Sequence, residues 1–518
     1  MRLNAFKSKE VGKMKKALCV VLYLVILVLI VYAVSNAFIV RSESLPYNNT
    51  TKVEGFYAEP RDTLDVVFVG ASTTFMGVNP SILWREYGVP SYSFATAGQR
   101  VQLSQLYVKE AIDRQHPDVI MVDIGGMRHD EDFAPAARNY TALNWVPLSL
   151  NKIDAIFRYT PREEWLSHLL PLIKYHSSGE VDFTNWEGTK TDPYMGYSPF
   201  FGNYDKTFKV TITDSVQETE KLNTNAEQAL RDIIAACKAS NVKLVLYRTP
   251  SSMNNAALKR FQEVKRIAAE EKVPVLDLCT EEWVAANEYE IKYDHSNSSG
   301  HPNWRGATKI TRAIGDYLME NNMVVDRRDD PAYALWNEKT EPYYRLENLY
   351  LSQEALKVPT DLSSYLQALC DIPKDGVVIL ATVYNDGSRK VTKADDALLA
   401  QLGANKTLRG KFRYAYLLVN VDGKKTYFQM DENKALFFEK NLGGVKVKAS
   451  SASNSAIVNK SKDYPDVAIN EVVIGGKTYT TQRGLNIFVY NYVEKEIVSV
   501  ASFDTYTTAE RRPVESAE

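Results

Sequence analysis

The longest apolar run in the chain comes first. From Ala17 to Val40 no residue is charged. A helix of that length, at about 1.5 Å per residue, extends about 36 Å and crosses a hydrocarbon core of about 30 Å with some tilt. Farther on, shorter apolar runs recur at Asp65-Val66-Val67-Phe68-Val69-Gly70, 118–123, 243–247 and 273–278. A run of this length without polar alternation, closed by Gly or Asp, predicts a strand buried on both faces. Between the runs, Ala, Leu and Ile recur at three-to-four spacing over about 101–115, 222–240 and 255–271, which predicts helices. Strands alternating with helices predict an α/β domain, a parallel sheet covered on both sides. After the charged break Arg327-Arg328-Asp329-Asp330-Pro331 the pattern changes. Strand-like runs at 377–383, 413–419 and 485–490, a helix at Asp395–Leu402 closed by Gly403, and a small-residue surface stretch at Ala449–Ser455 predict a β-rich α+β domain.

The ends of these segments set the expected organisation. Residues 1–45 form a basic tail and anchor, 46–330 the α/β domain with an insertion at about 130–220, and 342–510 the β-rich domain. Arg2, Lys7, Lys9, Lys13, Lys15 and Lys16 precede the apolar run against Glu10 alone, so the N-terminus should stay cytoplasmic and both large domains should lie outside the cell membrane. Ser35-Asn36-Ala37 offers the alternative of a cleavable signal peptide. The insertion is rich in Trp and Tyr (Trp145, Trp165, Trp186, Tyr194, Tyr197), which fits either a lid over a groove or a helical subdomain.

Composition narrows the classes. Lys and Arg together number 62 against 64 Asp and Glu, a net charge of -2 without the basic excess of a nucleic-acid binder. Four Cys in 518 residues are too few for a disulfide framework, and no Cys/His spacing suggests a metal, so neither metal nor cofactor is expected.

Candidate chemistry lies at the strand ends, because open α/β sheets bind ligands beyond the carboxyl edge. The first strand runs into Gly70-Ala71-Ser72, which places a hydroxyl at the sheet edge; a Ser there also caps helices. The second ends in Ala97-Gly98-Gln99, where Gly98 can present its N–H to an oxyanion. Two of only six His stand in the loop Tyr293-Asp294-His295-Ser296-Asn297-Ser298-Ser299-Gly300-His301-Pro302-Asn303 before a helix at 307–322. A serine nucleophile requires a base near neutrality, and a carboxylate behind the imidazole fixes its tautomer.

These blocks resemble the SGNH/GDSL hydrolases, a flavodoxin-like three-layer fold, over about residues 62–325. Gly70-Ala71-Ser72 resembles the nucleophile block, Gly98 the oxyanion glycine, and His301-Pro302-Asn303-x-x-Gly306-Ala307 the block of the base. The resemblance implies Ser72 and His301 as catalytic residues, with Asn303 among the site residues. The family acid lies three residues before the base, where this chain has Ser298; Asp294, seven before, is the expected acid across a four-residue expansion. The block-three Asn is replaced by Gly125-Gly126-Met127-Arg128, so Arg128 or the Gln99 amide is expected to donate to the oxyanion instead. More narrowly, the domain is similar to the membrane-anchored branch of teichoic-acid D-alanylation and alginate acetylation. That implies transfer or removal of acyl esters on envelope polysaccharide, a teichoic-acid-like glycan as substrate, and a membrane-bound O-acyltransferase as partner.

The second half resembles the interleukin-like EMT inducer (ILEI) lectin-like domain, on Ile372-Pro373-x-Asp375-Gly376-Val377-Val378, Leu402-Gly403, Gly484-Leu485-Asn486-Ile487 and Ser502-Phe503-Asp504-Thr505-Tyr506. It has no His, and the resemblance implies a glycan-binding module. A plain carbohydrate esterase and a catalytically inactive glycan-binding adaptor are the alternatives.

Overall fold

The computed structural model describes residues 2–178, 181–182, 190–204, 206, 208–296, 300–452, 471–514 and 516–517. Trp186, Ser298 and the end of the stretch 449–455 lie outside them. The chain divides into two compact units, Met1–Tyr343 and Tyr344–Glu518. The break at Arg327–Pro331 falls inside the first unit. Arg327 pairs with Asp65 at 2.8 Å, and Trp336 packs on Trp84, so the chain is still bound to the sheet domain beyond the proline.

The first unit is an α/β domain behind an N-terminal apolar helix, Arg2–Asn36, of which Met14–Asn36 is long and apolar enough to cross a membrane. Its sheet holds β1 (Val66–Gly70), β2 (Ser91–Ala95), β3 (Val119–Asp123), β4 (Lys243–Arg248) and β5 (Val275–Asp277), all parallel, in the order β2-β1-β3-β4-β5. Val66 pairs with Ser91 on one side and Val119 on the other. Side chains alternate between two cores. Val67, Val69, Ile120 and Val122 meet the helices Val101–Gln115, Thr224–Ala239 and Asn255–Glu270, while Val66, Phe68, Met121 and Tyr247 meet Ile310, Ile314 and Leu318 of the helix Trp304–Glu320. Burial on both faces explains why these strands read as unbroken apolar runs. After β1 the chain crosses to β2 on one side and then returns to β3 on the other, so the loops leaving β1 and β3 part and open a crevice.

Within the insertion, the helices Ala136–Leu143 and Leu150–Tyr159 enlarge the first core through Ala142, Leu143, Ala155, Ile156 and Tyr159. That part is a helical addition to the core. The segment 192–201 instead is tied to β2, Phe75 and Trp304, with Met195 O accepting from Ser93 N, Phe75 O from Ser198 N, and Phe200 O from Trp304 N. Ser35 and Ala37 are buried; Ser35 Oγ accepts from Leu172 N at 2.8 Å, and Ala37 O accepts from Asp182 N at 2.8 Å.

The second unit is antiparallel and β-rich. One sheet orders β6 (Val377–Tyr384), β7 (Ala415–Val421), β8 (Lys424–Asp431), β13 (Gly484–Asn491), β14 (Glu496–Phe503) and β15 (Arg511–Arg512) as β15-β14-β13-β6-β7-β8. The other holds β9 (Leu436–Leu442), β10 (Val445–Ser451), β11 (Glu471–Ile474), β12 (Lys477–Thr480) and β16 (Ser516–Ala517). An apolar layer of Val378, Leu380, Leu417, Val447 and Phe488 fills the space between the sheets, and the opposite face of the larger sheet packs on Tyr365, Leu366 and Leu369. Ala449–Ala452 is buried, which corrects the expectation of a surface stretch. Small residues stand there because β10 approaches β6 closely enough for Thr382 Oγ1 to donate to Ser450 O at 2.6 Å.

Candidate active site

β1 delivers Ser72 directly. Gly70 has no room for a side chain, since a Cβ there would lie 2.7 Å from Asp123 Cβ on β3. The chain then turns at Ala71 into the short helix Ser72–Gly77. Asp123, at the end of β3, accepts from Thr73 Oγ1 and from Gly125 N (2.7 Å), tying the Ser72 turn to the Gly125-Gly126 turn. Burial raises the Asp123 carboxyl above its usual range, opposed by these hydrogen bonds.

His301 arrives from the far end of the domain. An isolated bridge between His295 and Pro302 closes the intervening loop, and Ser296 N donates to His301 O at 2.8 Å. His301 Nε2 then lies 2.8 Å from Ser72 Oγ across 229 positions of sequence. Burial, and after it the charge of Arg128, push the imidazole down to about 4, so the ring is neutral at pH 7. Together with Ala71, Gly98, Gln99, Gly125, Gly126 and Arg128, these two residues line a cavity of about 280 Å³.

The other expected residues divide. Gly98, at φ +71°, a conformation that favours Gly, lines the cavity with the Arg138 side chain packed over it. Gln99 reaches the wall, but its amide is committed to its own loop: Oε1 accepts from Thr96 N (3.2 Å) and Thr96 Oγ1 (3.0 Å), and Nε2 donates to Ser104 Oγ (3.1 Å). It shapes the turn that carries Gly98. Arg128 is exposed on the rim, its Nε 3.1 Å from His129 Nε2. Asn303 is fully buried and organises the base loop. Its Oδ1 accepts from Arg305 N (3.0 Å) and Gly306 N (3.1 Å), while Nδ2 donates to Tyr293 O (2.7 Å) and Gly202 O (3.0 Å).

Asp294 is not brought to His301. Its carboxylate accepts from Glu290 N and from Lys309 Nζ, each at 2.8 Å. Asp294 ends the helical turn Ile291–Asp294, and the loop that follows carries His301 back without it. Ser298, the position three before the base, lies outside the described residues. His295 is buried with Nε2 3.0 Å from Tyr289 OH, away from Ser72.

Sequence reasoning missed Arg100, His129 and Thr73, which line the same cavity. Each lies three to six residues past a strand end, the zone where ligands bind in such sheets, and that position was their only signal.

No family model and no curated protein sequence matches the chain. Solved structures resemble it distantly. A protein from Desulfitobacterium hafniense described as lipolytic and of the G-D-S-L family is 12% identical with a TM-score of 0.25, over 48% of this chain and 97% of its own. A Bacteroides fragilis protein described as an acylhydrolase is 13% identical with a TM-score of 0.26, over 53% of this chain and 95% of its own. An acetyl xylan esterase from the rumen bacterium Butyrivibrio proteoclasticus is 13% identical with a TM-score of 0.20, over 51% and 66%.

Proposed function

We propose that the chain is a membrane-anchored SGNH-type serine esterase or O-acyltransferase that acts on acyl esters of envelope polysaccharide. The observation that carries the proposal is the 2.8 Å contact between Ser72 Oγ and neutral His301 Nε2 in a cavity at the sheet's carboxyl edge. Ser72 Oγ bonds to the ester carbonyl carbon while its proton passes to His301 Nε2. The carbonyl oxygen becomes an oxyanion next to Gly98 and the Gly125-Gly126 turn, with the Arg128 charge at the rim. The C–O bond to the alcohol then breaks, and the imidazolium returns its proton to the departing oxygen. Water or an acceptor hydroxyl, deprotonated by His301, releases the acyl group from Ser72 by the same steps in reverse.

The retained anchor, both domains outside the membrane, a membrane-bound acyl donor as partner and glycan binding by the second unit complete the proposal. Burial of Ser35 and Ala37 supports retention, because cleavage there would expose residues that the folded domain uses. The alternative of an inactive glycan-binding adaptor draws on the engagement of Asp294 with Lys309. Hydrolysis of a small activated acetyl ester separates the two. Wild type should turn it over, and Ser72→Ala and His301→Ala should each lose at least about 10³-fold, in line with other catalytic serine–histidine pairs. Turnover that survives both substitutions would refute the assignment. A polysaccharide acceptor with an acyl donor then distinguishes transfer from hydrolysis.

A further inference from the structure

Three arginines converge on the mouth of this cavity, and carboxylates of the described residues neutralise none of them. Arg100 follows the β2 turn and Arg128 the β3 turn; both line the cavity. Arg138, from the helix Ala136–Leu143, does not line the cavity but packs against Gly98 of its wall. Their contacts are weak or neutral. Arg100 Nη1 is 3.4 Å from Gly98 O and its buried Nε has no partner, Arg128 Nε meets His129, and Arg138 Nη1 is 3.5 Å from Ala97 O. The nearby acids are occupied or peripheral. Asp123 is bonded to Thr73 and Gly125 N, Asp130 pairs with Arg260 at 3.5 Å, and Glu131 stands 3.8 Å from His129 Nδ1.

The cost of assembling this charge is visible in its neighbours. Burial lowers the Arg100 pKa, and Arg128 and Arg138 repel it further while Glu131 opposes. His129 is pushed down to about 4, first by burial and then by Arg100 and Arg128. The helix Val101–Gln115 also opens here with no side chain capping its free N–H groups. A site with this much uncompensated positive charge beside a nucleophile gains most by receiving a negative group.

We propose that Arg100, Arg128 and Arg138 form a subsite for an anionic group, a carboxylate or a phosphate, carried by the substrate beside its ester. The proposal rests on the serine-ester reading of Ser72 and names the class of ester the site prefers. Guanidinium groups bind either oxyanion bidentately, so both belong to one chemistry.

The test compares phenyl acetate, 4-acetoxybenzoate and 4-acetoxyphenyl phosphate as substrates of the full chain in detergent. Each kcat/KM is referred to the same ester's rate with imidazole, which removes leaving-group differences. One or both anionic esters should exceed the neutral ester tenfold or more, and the larger preference identifies carboxylate or phosphate. Arg100→Gln and Arg138→Gln should each reduce that anionic-to-neutral ratio at least threefold, and the double variant should reduce it further than either, with Arg128 alone left in the subsite. A ratio near one in wild type, or a ratio that the double variant leaves intact, would overturn the proposal. Calorimetric titration of acetate and of inorganic phosphate decides independently of turnover. Wild type should bind one of them at least tenfold more tightly than the double variant, and equal binding would overturn the subsite. If no ester is hydrolysed but the ion still binds through these arginines, the esterase reading fails and the subsite stands.

Discussion

Asn303→Ala removes the residue that joins the base loop to its helix, and the loss divides into parts the structure defines. The N-cap of the helix Trp304–Glu320 disappears, which costs about 1 kcal/mol in typical cases. Two buried amide donors, to Tyr293 O and Gly202 O, also vanish, each worth about 1 kcal/mol. The expected sum is about 3 kcal/mol. All seven Trp precede Tyr344, so tryptophan fluorescence during urea unfolding reports the first unit alone. With an m-value of about 3 kcal/mol/M, the midpoint should fall by about 1 M. His301 stands two residues before Asn303, so kcat should fall as well, by about 10² for a displacement near 1 Å. Asn303→Asp sharpens the argument. Asp caps helices well, but its second oxygen would face the Tyr293 and Gly202 carbonyls, so it should destabilise at least as much as Ala. A midpoint within about 0.2 M of wild type for Asn303→Ala, or rescue by Asp, would refute the reasoning, because capping alone would then explain the residue.

Three further expectations follow from the same geometry. Removing the Arg128 charge by Arg128→Gln should raise the His301 pKa from about 4 toward its ordinary value, so the acid limb of kcat/KM moves to higher pH; an unmoved or lowered limb would contradict the placement of Arg128. Asp294→Asn should destabilise the first unit by about 1–3 kcal/mol through the Lys309 pair and the Glu290 N–H, yet lower kcat less than tenfold, whereas a loss near 10⁴ would restore Asp294 as the orienting acid. Residues 344–518, which carry two apolar layers of their own, should fold alone and bind an envelope glycan weakly in a glycan-array or calorimetric titration; capture of a protein partner instead of any sugar would make this unit a docking module.

How far the sequence disclosed this molecule depended on how local each signal is. The parallel strands were legible because burial on both faces removes polar residues. The expected helices at 101–115 and 255–271 match Val101–Gln115 and Asn255–Glu270 to within a residue. β8 left no comparable signal. Its Lys424-Lys425-Thr426-Tyr427 opening is polar and exposed or half-buried, and what places it is the hairpin turn at Asp422-Gly423, where both residues have positive φ. At the site, the structure brings Ser72, Gly98 and His301 to one cavity, and their approach could be expected from sequence because each occupies a fixed place relative to a strand end or a helix start. Asp294, expected behind His301, instead accepts from Glu290 N and Lys309 Nζ, because spacing along the loop cannot show that the chain reverses between His295 and Pro302. Arg100 and Arg138 went unnoticed for a related reason. One follows the β2 turn and the other stands on the helix Ala136–Leu143, and only folding brings them near each other and Arg128.

The central claim is that Ser72 is a nucleophile served by His301, and covalent trapping tests it most directly. After treatment of the full chain with a serine-directed phosphonate, intact-mass analysis should show one adduct, which peptide mapping places on Ser72. The adduct should be absent in Ser72→Ala and should form much more slowly in His301→Ala, where no base takes the Oγ proton. A single adduct that persists in Ser72→Ala, or wild-type protein that resists the phosphonate altogether, would contradict the account.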